Sequence, residues 1–162
     1  GFGTHSRTSI FDYIGVPNHQ KWMNEGKFDG GQLSDSEKNL RNFYKRLLNF
    51  SIKSSALMGS YQEIQSVNRQ NNAGYDDSIY SYVRWSEKQK LVVVVNFSSE
   101  KTSEFELKVP SDVISKWNLK DGEYQLTDQL YQMNSVKLKV TNGEGIAKVK
   151  IAPSESFIYE LK

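Results

Sequence analysis

The sequence predicts an α+β chain that is mainly β: an antiparallel β-sandwich of about eight strands with one main α-helix near its N-terminus. Three observations carry this. Apolar residues in the first third recur at helical spacing behind a capping signal. From Ser60 onward the apolar period shortens to two. The alternating runs are separated by short turns rich in Gly, Asn and charged residues, as in antiparallel sheets.

In order along the chain, residues 1–33 are rich in Gly, Asn and aromatics and read as irregular. Pro17 opens a short helical turn through Met23, and Gly26, Gly30 and Gly31 end it. Ser34-Asp35-Ser36-Glu37 is a capping box, in which Ser34 accepts from the Glu37 amide and Glu37 reaches back. Leu40, Phe43, Tyr44, Leu47 and Leu48 then fall on one face of a helix over Ser34–Phe50, with Lys38, Arg41 and Lys45 opposite as a solvated face. Acidic residues open this helix and Lys45 and Arg46 lie toward its far end, as its dipole favours.

The expected strands are Tyr61–Asn68, Ser78–Ser86, Lys90–Phe97, Ser103–Val109, Glu123–Leu130, Ser135–Thr141, Gly145–Ala152 and Ser156–Leu161. Phe105 to Val109, Val136 to Val140 and Ala147 to Ile151 alternate cleanly, giving one face for a core and one for water. Leu91 to Val95 is apolar on both faces, as a strand covered on each side requires. Glu87-Lys88-Gln89 reads as a hairpin turn and Asn142-Gly143-Glu144-Gly145 as a stronger one, because Asn and Gly tolerate positive φ. Asn68–Asp77 reads as a polar loop and Ser111–Trp117 as a short helical excursion.

Bulk composition limits the function. The 162 residues suffice for one ordinary core. Net charge is +2 with 25% charged residues, which argues against a nucleic-acid partner, since that needs a concentrated basic surface. No cysteine is present, so thiolate chemistry and disulfides are excluded. The longest apolar run, Leu91 to Val95, is far short of the roughly 18–20 residues of a membrane span. The opening Gly1-Phe2-Gly3-Thr4 has neither Met nor a basic segment and is no signal peptide; a chain that starts in mid-architecture reads as a piece of a larger protein.

Catalytic motifs are missing. The two histidines, His5 and His19, form no metal-binding or nucleophile–base pattern, and His19 reads as a surface or helix-packing residue. There is no Gly-x-Ser-x-Gly elbow, no phosphate loop, and no calcium loop around Asp76-Asp77. No catalytic residue, metal ligand or cofactor is assigned.

The segment Gly1-Phe2-Gly3-Thr4-His5-Ser6-Arg7-Thr8-Ser9-Ile10-Phe11-Asp12-Tyr13 resembles the α-amylase family of glycoside hydrolases just after the eighth strand of their (β/α)8 barrel. Val16-Pro17, Trp22-Met23-Asn24 and Gly26 to Gly31 are similar to the same region of bacterial members. The helix carrying Phe43 to Leu48 resembles the last barrel helix, and Ser55-Ala56-Leu57 with Gly59-Ser60-Tyr61 the exit from the barrel. Val92 to Ser98 is similar to the central strand of the C-terminal β-sandwich.

The resemblance implies that residues 1–57 are the end of a catalytic barrel and 58–162 a C-terminal sandwich that packs on it. It implies a retaining parent enzyme acting on α-glucans such as starch and maltodextrins, located in the periplasm, on the cell surface or outside the cell. Such chemistry needs two carboxyl groups ~5–5.5 Å apart. In the family these lie on strands upstream of Gly1, so the chain by itself is expected to be non-catalytic.

The resemblance also puts Arg7 near the substrate-binding mouth of the barrel, where the alternative is a structural salt bridge. A second reading of the chain is an α-glucan-binding module using exposed aromatics; Trp22, Trp85, Trp117, Tyr75, Tyr80, Tyr82 and Tyr131 are its candidates, against a plain core role. Arg7, Trp22 and Trp85 are the candidate substrate contacts. A third reading, an autonomous enzyme, has no nucleophile–base pair behind it.

Overall fold

The computed structural model describes residues 16–70, 72–131 and 134–162. The chain divides into two compact units, Gly1–Arg46 and Leu47–Lys162. The first holds α1 (Pro17–Met23), a 3-10 turn at Asn24–Gly26, and the larger part of α2 (Asp35–Lys53). Proline at the first helical position starts α1, and Asn24 in the left-handed region ends it. The capping box of α2 is formed: the Glu37 amide donates to Ser34 Oγ (3.3 Å) and the Ser34 amide to Glu37 Oε2 (2.8 Å). Lys21 Nζ reaches Glu37 Oε1 at 2.7 Å, and this bond, with those from Ser34, holds the Glu37 carboxyl at about 2.

α2 runs three residues past the expected end. No residue of it is buried: Leu40 is 60% exposed and Leu48 58%. The apolar face of Leu40, Phe43, Tyr44, Leu47 and Leu48 is therefore covered only in part, at Phe43 and Leu47. The helical period holds over the whole element, but an apolar stripe alone does not bring its own cover.

The second unit is one eight-stranded, wholly antiparallel sheet. Its strands are β1 (Ser60–Glu63), β2 (Ile79–Trp85), β3 (Lys90–Asn96), β4 (Ser103–Val109), β5 (Gly122–Asp128), β6 (Ser135–Thr141), β7 (Glu144–Ile151) and β8 (Ser156–Leu161), in the order β1-β2-β3-β8-β5-β6-β7-β4. The sheet curls around a single core. Val83, Val92 and Phe157 from one half share it with Leu126, Leu138, Val149 and Leu107 from the other. Tyr75 joins the two halves directly: its hydroxyl bonds Ser81 Oγ on β2 at 2.8 Å, and its ring meets Phe105 on β4 edge-on at 5.0 Å. α4 (Ser111–Lys116) closes one side, adding Val113, Ile114 and the following Trp117 to the core.

One expected strand is corrected. Tyr61–Asn68 is not a continuous strand: β1 stops at Glu63 and α3 (Gln65–Arg69) follows. The Glu63 carboxylate accepts from the Ser66 amide (3.0 Å) and hydroxyl (2.8 Å), satisfying the first turn of that helix. Ile64 and Asn68 are fully buried, the latter against the edge strand β4. The segment read as a polar loop thus contains Asn68 and Tyr75, both inside.

Candidate functional site

Alternation along β2 gives its two faces different roles. Ile79, Ser81 and Val83 point to the core, so Tyr80, Tyr82 and Arg84 lie on the opposite face. Register carries this outer face across the sheet: Tyr82 sits opposite Val93, which sits opposite Ile158, and Arg84 sits opposite Leu91. Leu91, Val93 and Ile158 are buried although they face away from the main core. A 3-10 turn at Ser55–Met58 lies over this end, with Ala56 buried.

Three side chains hold the turn in place, one of them Ser86, whose Oγ shares a 2.8 Å hydrogen bond with Ser55 Oγ. Arg84 donates to the carbonyls of Ala56 (3.3 Å), Leu57 (2.7 Å) and Gly59 (3.2 Å). Gln89 Oε1 accepts from Ser54 Oγ (2.7 Å) and the Ala56 amide (3.1 Å). Beyond the turn the outer face is open and aromatic. Tyr61 and Tyr82 rings are 5.5 Å apart, Tyr80 and Tyr82 5.8 Å, and the Tyr61 and Tyr80 hydroxyls share a 2.7 Å hydrogen bond. That bond pushes the Tyr80 phenol up to about 12. Phe97, two residues beyond Val95, adds a ring that is 72% exposed. Tyr61 and Phe97 were not among the aromatic candidates read from the sequence; the period-two continuation of β1 and β3 was the available signal.

Trp85 ends β2 on its core-facing side and is half-buried. A groove of about 490 Å³ runs past it, bordered by Gly59, Ser60, Glu87, Lys90, Lys116 and Asn118. Gly59 is required here: a Cβ at that position would lie 2.0 Å from the Trp85 carbonyl oxygen. Lys116 Nζ stands 5.8 Å from the Trp85 ring centroid, held by Asp112 Oδ2 (2.9 Å) and Gln62 Oε1 (2.8 Å). Lys116, and then Gln62, keep the Asp112 carboxyl below its ordinary range.

Trp22 lies in the first unit. The Arg41 guanidinium stacks 3.9 Å from its ring centroid, beside an apolar groove that includes Leu33, Leu40 and Tyr44. Gly30, at φ +71°, passes so close that a Cβ would come within 2.8 Å of the Trp22 ring. Arg7 lies outside the described residues. Trp117 and Tyr75, candidates for sugar stacking, are 2% and 5% exposed and serve the core instead. His19 is exposed. Among the described residues no group of three or more His, Cys, Asp or Glu could hold a metal ion, and no helix is long and apolar enough to cross a membrane.

Comparisons with known proteins agree on one architecture. A family model described as the alpha amylase C-terminal all-beta domain matches residues 69–162. No curated protein matches the sequence. Among solved structures, AmyP E221Q in complex with maltotriose superposes with a TM-score of 0.53 at 15% identity over 80% of this chain and 22% of its own. An alpha-amylase from Anoxybacillus gives 0.51 at 16% identity over 84% and 25%. The noncanonic maltogenic alpha-amylase AmyB from Thermotoga neapolitana gives 0.50 at 15% identity over 74% and 24%. The chain therefore spans about a quarter of the length of these structures or less.

Proposed function

The chain belongs to the alpha amylase C-terminal all-beta domain family, and from that premise we propose that it is the non-catalytic C-terminal portion of an α-glucan-acting glycoside hydrolase. Its eight-stranded domain steadies the enzyme's catalytic (β/α)8 barrel. On this reading residues 1–57 are the loop and last helix of the barrel, and 58–162 the appended sandwich.

The observation that carries the reading is the second apolar face of the sheet. Tyr61, Tyr80, Tyr82 and Phe97 present rings away from the domain's own core, in continuity with buried Leu91, Val93 and Ile158. A contiguous apolar face of this kind marks a contact with another folded body. An inter-domain contact needs such a face and no reactive group.

The test is thermal inactivation, on starch, of an enzyme carrying this chain at its C-terminus. Phe97→Asp and Tyr61→Asp are expected to lower the inactivation temperature by several degrees. In the separate chain Phe97→Asp changes an exposed side chain and is expected to shift stability by no more than about 0.5 kcal/mol, whereas Tyr61→Asp also loses the bond to Tyr80 and the ring contact with Tyr82 and is expected to cost about 1 kcal/mol. Equal effects in both settings, or none in the enzyme, overturn the reading.

A further inference from the structure

The groove at the end of β2 combines an aromatic ring with polar groups of both signs. Ser60, Trp85 and Lys90 are register partners, so they form one row across β1, β2 and β3. Glu87 comes from the β2–β3 turn, and Asn118 follows α4 at φ 54°. Lys116 is fixed at the rim by Asp112 and Gln62. Among the described residues, no hydrogen bond or ion pair engages the side chains of Ser60, Glu87, Lys90 or Asn118.

These groups select the ligand by chemistry. An anion on Lys90 and Lys116 would meet the Glu87 carboxylate; a cation on Glu87 would meet two ammonium groups. A purely apolar molecule would cover the indole and strip water from the polar rim without replacing its hydrogen bonds. A neutral molecule with many hydroxyls can accept from Lys90 and Asn118, donate to Glu87 and exchange with Ser60, while its C–H face lies on the indole. A volume of about 490 Å³ is within the range of small-ligand sites.

We propose that the groove bordered by Trp85, Ser60, Glu87, Lys90 and Asn118 binds a neutral saccharide. This goes beyond the barrel-docking role, and uses residues distinct from the Tyr61–Phe97 face. Only the choice of an α-linked sugar rests on the proposed parent enzyme.

The test is isothermal titration of the 162-residue chain with maltoheptaose and, separately, with cellohexaose. A Kd in the millimolar range, typical of a shallow open site, is expected for maltoheptaose. Trp85→Ala is expected to weaken it at least tenfold. Because Trp85 also packs on the core, Lys90→Ala and Asn118→Ala provide the second arm; each is expected to weaken binding severalfold with an unchanged melting temperature. Phe97→Ala, on the other face of the sheet, is expected to leave binding intact.

Heat from maltoheptaose that is lost in the groove variants supports the site. Heat from cellohexaose alone, lost in the same variants, supports the groove and counts against an α-glucan parent. No heat from either sugar at about 10 mM, or binding unchanged in the groove variants, overturns the proposal.

Discussion

Asn68 and Lys108 close a two-bond ring at the edge of the sheet: the Lys108 amide donates to Asn68 Oδ1 at 2.7 Å, and Asn68 Nδ2 donates to the Lys108 carbonyl at 2.9 Å. β4 is the last strand of the sheet, so the backbone groups on its open side would otherwise be unpaired. The Asn68 amide supplies one donor and one acceptor, as a neighbouring strand would. Its Nδ2 also donates to the Ile64 carbonyl at 2.7 Å, which fixes the side chain from its own helix.

Asn68→Ala removes these three bonds, and the 3.3 Å bond that Asn68 Oδ1 accepts from Asn72 Nδ2, from a fully buried position and is expected to cost about 2–4 kcal/mol. Asn68→Asp turns the donor into a carboxylate facing two carbonyls, which raises its folded-state pKa. Folding then loses stability as pH rises from the ordinary Asp value to that raised pKa, so the variant is expected to be weaker at pH 7 than at pH 4. Urea unfolding at both pH values checks this.

Gly74 guards the same edge by lacking a side chain. At φ +88° its backbone comes so near β4 that a Cβ would lie 2.0 Å from the Glu104 carbonyl oxygen. Asn72 Nδ2, two residues before it, donates to the Glu106 carbonyl at 2.8 Å. Gly74→Ala combines an unfavourable φ with a clash against backbone, and is expected to cost at least about 2 kcal/mol. Faster amide exchange along β4 would accompany the loss and locate it.

The edge seal shows where sequence reasoning stops. Leu91 to Val95 reads as a strand covered on both faces because the run is short, continuously apolar and mostly β-branched, and Leu91 and Val93 are buried outside the main core. The capping box at Ser34 was legible because its two partners are three residues apart. Asn68 was not legible: its partner lies 40 residues away, and a buried amide looks like any loop residue in one dimension. Trp117 is a sugar-stacking candidate in the sequence because composition does not reveal that the end of α4 turns its ring into the core. The Trp85 groove fell between these cases. The ring was named from the sequence, but Lys116, Asn118 and Gly59 reach it only through the fold.

Arg84 is the clamp on the turn that enters the sheet. It is the one described side chain that donates to the carbonyls of Ala56, Leu57 and Gly59 together. Arg84→Lys keeps the charge but not the fork of donors, and is expected to cost about 1–2 kcal/mol. Arg84→Ala is expected to cost more and to speed exchange of the Gly59 amide, which bonds the Ala56 carbonyl at 3.1 Å inside that turn. A slow Gly59 amide in Arg84→Ala would show that Gln89 and Ser86 hold the turn without it.

Asp76 sets the acid limit of the loop before β2. Its carboxylate accepts from Lys101 Nζ, from Ser78 Oγ (2.5 Å) and from the Ser78 amide (2.9 Å), and these bonds, Lys101 foremost, lower its pKa to about 2. An unfolded Asp titrates near ~3.9. Between those values the unfolded chain binds more protons than the folded one, so folding gains stability as pH rises through this window. The contribution is complete above about pH 4 and lost as pH falls toward 2. Asp76→Asn abolishes the titration: the variant is expected to be less stable than the parent at neutral pH, and the two melting curves to converge as pH falls from about 4 to 2. A gap that stays constant down to pH 2 would place the acid sensitivity on other carboxylates, with Glu37 and its Lys21 partner the next to replace.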